Sequence, residues 1–209
     1  MLAVIEAVSA ADPAVGWYIA NSLPTCLAVA ALAEKERAQL FAEPDRNFGY
    51  SGAQVGQAIP TEGGYRVSGQ WPVVSGCEDA KWCGLSGIVM EGNTPRLSNG
   101  YPDSRLFFTR TADLEIVPTW KDAAAMRGTG SNQVRVYDVF VPEGLAYTSA
   151  KPLLIDRPLF RLPSVLMFAP MGAAVACGVL STALESAVEA LSAKVSTFSG
   201  QILREQAPG

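Results

Sequence analysis

Gly63-Gly64-Tyr65-Arg66-Val67-Ser68-Gly69-Gln70-Trp71-Pro72-Val73-Val74-Ser75-Gly76-Cys77 is the stretch on which the fold turns. It opens on a glycine pair, a turn signal. Tyr65 to Ser68 then alternates apolar and polar side chains, the period of a strand with one face buried. The stretch closes on a second turn at Val74–Cys77. Short β-prone runs of the same kind lie downstream at Leu85 to Met90, Leu106 to Thr109, Leu114 to Val117 and Val134 to Val141. Glu91-Gly92-Asn93 and Pro102-Asp103 are read as turns between them. Five or six short strands without intervening helices predict a sandwich or barrel.

Outward from this region the period changes. Residues 1 to about 43 read as helix. Asp12-Pro13 is an N-cap and first-turn pair. Pro24 is expected to start a second helix and Ala33 to Phe41 to form a third. Beyond about Leu159 the helical spacing returns, with Val175, Val179, Leu180, Leu184, Val188 and Leu191 three or four apart as a buried stripe. The expected class is therefore α+β: a partial N-terminal helical domain (1–43), a central antiparallel β-sandwich or barrel (44–150), and the start of a C-terminal helical bundle (151–209). In this reading both helical ends are incomplete, because a single long terminal helix leaves a face with nothing to pack on.

Composition narrows the function. Of 209 residues, 49% are hydrophobic and 17% charged, a globular balance. A net charge of −4 with scattered basic residues argues against nucleic acid, whose binders cluster Lys and Arg. Histidine is absent, which removes Ser–His–Asp and Cys–His catalysis. The spacing of Cys26, Cys77, Cys83 and Cys177 matches no zinc motif. Reduced, mostly buried thiols in a cytoplasmic protein are the expectation. Ser164 to Leu184 carries no charge, but its Pro170, Gly172, Gly178 and alanines suit a packed bundle helix rather than a membrane span.

The remaining candidates for chemistry need weighing against structural roles. Gly128-Thr129-Gly130-Ser131-Asn132-Gln133 lacks the last glycine of a dinucleotide loop and runs into a strand, so that reading is rejected. Glu78 and Asp79 are neighbours that a strand would point apart, and Glu185 and Glu189 share one helix face, where solvation is the default. Trp71, Ser75, Gly76, Trp82, Trp120, Thr129 and Ser131 gather aromatic faces, backbone N–H groups and hydroxyls around turns. A flat tricyclic ring needs such groups for stacking and edge hydrogen bonds. Composition alone favours core tryptophans.

Three motifs add a family. Gly63 to Cys77 with Ala80-Lys81-Trp82 resembles a stretch of the flavin-dependent hydroxylases related to acyl-CoA dehydrogenases. Trp120, Met126-Arg127-Gly128-Thr129-Gly130-Ser131-Asn132-Gln133-Val134 and Asp138-Val139-Phe140-Val141-Pro142 resemble a second. Asp12-Pro13-Ala14-Val15-Gly16-Trp17 resembles the group's N-terminal helix. Val73 stands where that group has Phe, and the spacer between Trp120 and Met126 is one residue longer. The resemblance implies a flavin, FAD or FMN, lying between the β-domain and a helical bundle. Val74, Ser75 and Gly76 would touch its ring, Ser75 donating to the ring edge. Trp120 would cover it, with Thr129 and Ser131 nearby, and Gly52 and Ala53 would correspond to a further loop beside the flavin and substrate.

The resemblance also implies a truncated chain. The family's first helices and most of its bundle have no counterpart here, and the catalytic residue sits in that bundle, so no base is assigned. The implied activity is acyl-CoA dehydrogenase-like oxidation or, favoured by motif style, reduced-flavin and O2 monooxygenation. Its implied partners are a small-molecule substrate, a flavin reductase, and further copies or a partner chain to complete the bundle. The alternatives are a catalytically incomplete fragment or split-protein subunit, and a domain tethered to a membrane by residues 164–184.

Overall fold

A computed structural model describes residues 1–42, 47–150, 154–155, 157–161 and 164–202. The expected boundaries at 43/44 and 150/151, and the closing Ala207-Pro208-Gly209, fall on residues outside these.

Three helices lead the chain: α1 (Leu2–Ala11), α2 (Pro13–Val29) and α3 (Glu34–Leu40). Asp12 caps α2 as expected, its Oδ1 accepting from the N–H groups of Ala14 (2.8 Å) and Val15 (3.3 Å). Pro24 does not start a helix; it lies inside α2. The turns on either side of it are fixed by Ala20 and Leu27, which pack into one apolar cluster with Ile5 of α1. Tertiary packing thus overrides the break that proline alone would impose.

The strands follow as β1 (Phe48–Thr61), β2 (Gly64–Val74), β3 (Trp82–Glu91), β4 (Thr94–Pro95), β5 (Leu97–Ser98), β6 (Tyr101–Pro102), β7 (Ser104–Arg110), β8 (Glu115–Val117), β9 (Asn132–Pro142) and β10 (Ala146–Tyr147). The main sheet runs β10-β7-β3-β1-β2-β9-β8, with β4 appended to β3. The α+β class is as the sequence indicates, but the sheet is mixed: β1 and β3 pair in parallel while the other neighbours are antiparallel. The sheet also curls, so that the Tyr65 ring of β2 meets Phe107 of β7 edge to face at 5.5 Å. Inside the curl, Trp71, Val67, Leu85, Phe107, Phe108 and Val134 are fully buried.

The turn expected at Pro102-Asp103 is instead at Asn99-Gly100, where both residues take positive φ. Asp103 turns inward and is clasped by Arg96 and Arg105.

The last helix, α4 (Ser164–Ala193), packs on α1 and α2 through Met171, Ala174 and Val175. Its Gly178 lies against α1 so closely that a Cβ there would sit 2.3 Å from the Glu6 carbonyl. Only the start of the expected stripe is buried. Leu180 (58% exposed), Leu184 (57%), Val188 and Leu191 face outward: α1 meets the side of α4 that carries Gly178 and Thr182, whose Oγ1 donates to the Ala10 carbonyl, and the described helices leave the other side uncovered. Phe168–Ala193 is long and apolar enough to cross a membrane by length and composition; one flank of it is occupied by α1 and α2.

Candidate functional site

The β1–β3 pairing holds the first element of the site. Ser51 pairs with Leu85 and Gly56 with Gly87, so residues 52–55 of β1 bulge opposite the single residue Ser86. A bulge re-aims side chains and frees backbone groups. The Trp71 indole answers the second problem, its N–H donating to the carbonyls of Ala53 (3.1 Å) and Ser86 (2.9 Å). The ring fits only because Gly56 is beneath it; a Cβ there would lie 2.4 Å from Trp71 Cζ2.

The second element is the turn after β2. Gly76 adopts φ +78°, and a Cβ on it would fall 2.2 Å from Cε2 of Tyr18 in α2. Its N–H donates to the Thr129 carbonyl (2.8 Å), and the Tyr50 N–H donates to the Ser75 carbonyl (3.2 Å). These bonds pin the turn to the loop before β9 on one side and to β1 on the other.

A chain of hydroxyls runs through this junction. Trp17 Nε1 donates to Ser75 Oγ at 3.1 Å. Ser75 Oγ lies 2.8 Å from Ser131 Oγ, which lies 2.6 Å from Thr129 Oγ1. Thr129 Oγ1 donates to the Met126 carbonyl at 2.9 Å. Each hydroxyl has one proton, so the last bond fixes the rest. Thr129 gives its proton to Met126, Ser131 gives to Thr129, and Ser75 gives to Ser131. Ser75 is left with one lone pair beyond the one that receives Trp17.

In front of Ser75 is an open hollow of about 420 Å³ between α2, the sheet and α4. It is lined by Trp17, Asn21, Tyr50, Ser51, Gly52, Gln54, Val73, Ser75, Ser86 and Phe168. Tyr50 and Phe168 stack at 5.6 Å, joining sheet to helix across its mouth. Burial pushes the Tyr50 phenol up to about 12, so it stays protonated at neutral pH. A volume of this order lies within the range of about 300–1,000 Å³ typical of small-molecule sites.

Of the residues singled out from the sequence, Ser75 lines the hollow. Gly76, Thr129 and Ser131 stand behind it as backing. Val74 is buried in the sheet core. Trp120 does not line the hollow; its indole N–H donates to the Met126 carbonyl (2.9 Å), and its backbone N–H to Asn132 Oδ1 (2.9 Å). It is thus tied to Ser75 through the hydroxyl chain. Trp71 and Trp82 are core residues, as composition suggested. Sequence reasoning missed Asn21, Tyr50, Gln54, Ser86 and Phe168. The one available signal was the Gly52-Ala53 loop, which the resemblance placed beside the ring. The lining fits a planar ring: aromatic faces, a glycine approach at Gly52, and a polar atom at Ser75.

Helices flanking a curled mixed sheet, with a hollow at their seam, define the acyl-CoA dehydrogenase-like fold. XiaF from Streptomyces sp., solved in complex with FADH2 and glycerol, superposes with a TM-score of 0.81 at 25% identity, covering 97% of this chain and 52% of that one. Relatives by sequence are flavin-dependent monooxygenases. The pigment production hydroxylase of Rhodococcus sp. (strain ATCC 21145) is 30% identical, over 99% of this chain and 53% of its own length. The oxygenase component of the FADH(2)-dependent resorcinol hydroxylase of Rhizobium sp. is 28% identical, over 96% and 48%. The chain therefore spans about half the length of the curated relatives it matches. No protein-family model matches the sequence.

Proposed function

We propose that this chain carries the flavin-facing part of an oxygenase component, one that takes reduced FAD or FMN from a separate reductase and hydroxylates a small aromatic molecule with O2. The observation that carries the reading is the hollow at Ser75, on a chain related along nearly its whole length to a pigment production hydroxylase. In this reading residues 1–43, 44–150 and 151–209 are the helical, β and bundle-starting parts, with the flavin between the second and third.

The flavin, when bound, supplies the redox and oxygen chemistry. The chain supplies position. Ser75 presents its remaining lone pair to a ring-edge N–H, rather than donating to the ring edge as the resemblance implied, since its own proton goes to Ser131. Val74 and Gly76 set the turn that aims it, Thr129 and Ser131 hold its hydroxyl, and Trp120 braces that loop. Tyr50, Phe168 and Trp17 give aromatic faces on which a planar substrate packs. The described lining holds no carboxylate, and the chain has no histidine, so these residues orient and exclude water rather than move a substrate proton. Four free thiols accord with a cytoplasmic setting. The outward face of α4 at Leu180, Leu184 and Val188 is where a second copy or partner chain completes the helical layer.

An anaerobic titration of the full chain with reduced FAD and reduced FMN, followed by tryptophan fluorescence, tests this. Saturable binding is expected, weakened about tenfold or more by Ser75→Val, which removes a hydrogen bond worth about 1.5 kcal/mol. Absence of saturable binding by either reduced flavin refutes the reading.

A further inference from the structure

A second hollow of about 210 Å³ adjoins the first and shares Tyr50, Gln54, Ser86 and Phe168 with it. Its own walls are Pro24 and Ala28 of α2, Ser104 to Leu106 of β7, and Tyr147 to Ser149. Resting on the proposed function, we propose that this hollow receives the far end of the substrate and selects one that is neutral and hydroxyl-bearing, against carboxylates.

Two observations support this. The walls carry hydrogen-bonding groups open to a ligand: among the described residues, the side chains of Gln54, Ser86 and Ser104 make no hydrogen bond to another residue. Uncharged groups of this kind pair with hydroxyls, which both donate and accept. The second observation is charge. Arg105 is the sole charged residue among the described lining of both hollows. It is already held by Asp103 (3.3 Å) and Glu143 (2.9 Å), and its guanidinium lies over the Tyr65 ring at 5.0 Å. Asp103 in turn also binds Arg96. The two arginines and two carboxylates neutralise one another. A substrate carboxylate entering the hollow would leave water without gaining a counter-ion, which disfavours it. A hydroxyl meets three open partners and carries no such penalty.

The test is a matched pair of probes binding the full chain at pH 7, 3-hydroxybenzyl alcohol and 3-hydroxybenzoate, measured by calorimetry with and without reduced FAD. The alcohol is expected to bind about tenfold tighter or more. The double variant Ser86→Ala/Ser104→Ala is expected to erase most of that preference. Gln54→Lys, which places a cation at the shared wall, is expected to raise affinity for the benzoate. Equal or tighter binding of the benzoate by the unaltered chain, binding of neither probe, or no effect of the serine changes overturns the proposal. Reduced-flavin titration of the same preparation separates the two claims. Flavin binding with the wrong probe preference sinks the substrate class alone. A correct preference without flavin binding sinks the proposed cofactor alone.

Discussion

Replacing Gly76 by alanine perturbs the turn that aims Ser75, and the structure allows the effect to be divided in two. The first part is conformational. Gly76 sits at φ +78°, in the left-handed region that costs an L-residue about 1–2 kcal/mol. The second part is steric. The new Cβ would lie 2.2, 3.0 and 3.1 Å from three carbons of the Tyr18 ring, where carbon contacts are comfortable at about 3.5–4.0 Å. Overpacking of this kind costs about 1–3 kcal/mol. The sum, about 2–5 kcal/mol, lowers the urea midpoint by about 0.7–2.5 M for a slope of about 2–3 kcal/mol/M. Gly92→Ala is the control: its φ is +61°, and a Cβ there meets nothing within 4 Å, so it carries the conformational part alone. Urea unfolding followed by tryptophan fluorescence should place Gly76→Ala at least about 1 kcal/mol below Gly92→Ala. Adding Tyr18→Ala to Gly76→Ala should recover the steric share, measured as a coupling in a double-mutant cycle. Equal midpoints for the two glycine variants, or no coupling with Tyr18, would refute the close approach of α2 to this turn.

Other consequences are open to direct measurement. Trp71→Phe keeps most of the ring but leaves the Ala53 and Ser86 carbonyls without their donor, so it should destabilise by about 1–3 kcal/mol and speed amide exchange in residues 52–55. Burial pushes the thiols of Cys77 to about 11 and Cys83 to about 12, whereas Cys177 is exposed. Iodoacetamide at pH 8 should therefore label Cys177 about 100-fold or more faster than either buried thiol, as peptide mapping would show. Burial alone would raise the Asp103 carboxyl, but hydrogen bonds and charge from Arg96 and Arg105 outweigh it and hold the group below its ordinary value. Its contribution is then present above the unfolded value of about 3.9 and is lost as pH falls through the folded value. Urea midpoints at pH 7 and pH 3 should fall less in Asp103→Asn than in the parent. Leu180→Glu/Leu184→Glu should reduce self-association in sedimentation without altering the circular dichroism of the chain, since both side chains face outward.

What could be read from the sequence depended on whether one local period governed a segment. β2 and β9 each bury one face over several residues, and Tyr65–Ser68 and Val134–Val141 announced them. The Asp12-Pro13 cap is a contact between near neighbours and was equally plain. β1 was invisible although it is the longest strand, because the bulge at residues 52–55 breaks its alternation. Its parallel pairing with β3 is set by the crossover of the chain, on which no local residue reports. Pro24 misled because its helix is held by contacts from α1 and α4. The stripe on α4 has the spacing of a buried face, and spacing does not say which neighbour covers it. For the site, motif resemblance led to Ser75, Thr129 and Ser131, which do meet in one hydroxyl chain. Tyr50, Ser86 and Phe168 come together only through sheet register and helix docking, so they carried no signal in the linear order.

Trp71 explains why a core residue and a binding residue were hard to tell apart in this sequence. Its ring is wholly buried, yet its single N–H reaches the bulged strand and the strand opposite at once. Buried carbonyls without partners are costly, so a four-residue bulge in the middle of the sheet needs a donor at this point. The indole supplies it, and the same bulge delivers Gly52 and Gln54 to the hollow facing Ser86. The rest of the junction follows the same logic. Gly76 lets the turn approach Tyr18, and Thr129 orders the protons of the hydroxyl chain through its bond to Met126. Three groups that never touch the hollow thereby decide where its wall stands and which way Ser75 points its lone pair. A flat ligand binding there would meet a wall held before it arrives, because the Trp71 indole and the hydroxyls of Ser75, Ser131 and Thr129 already have their partners within the chain.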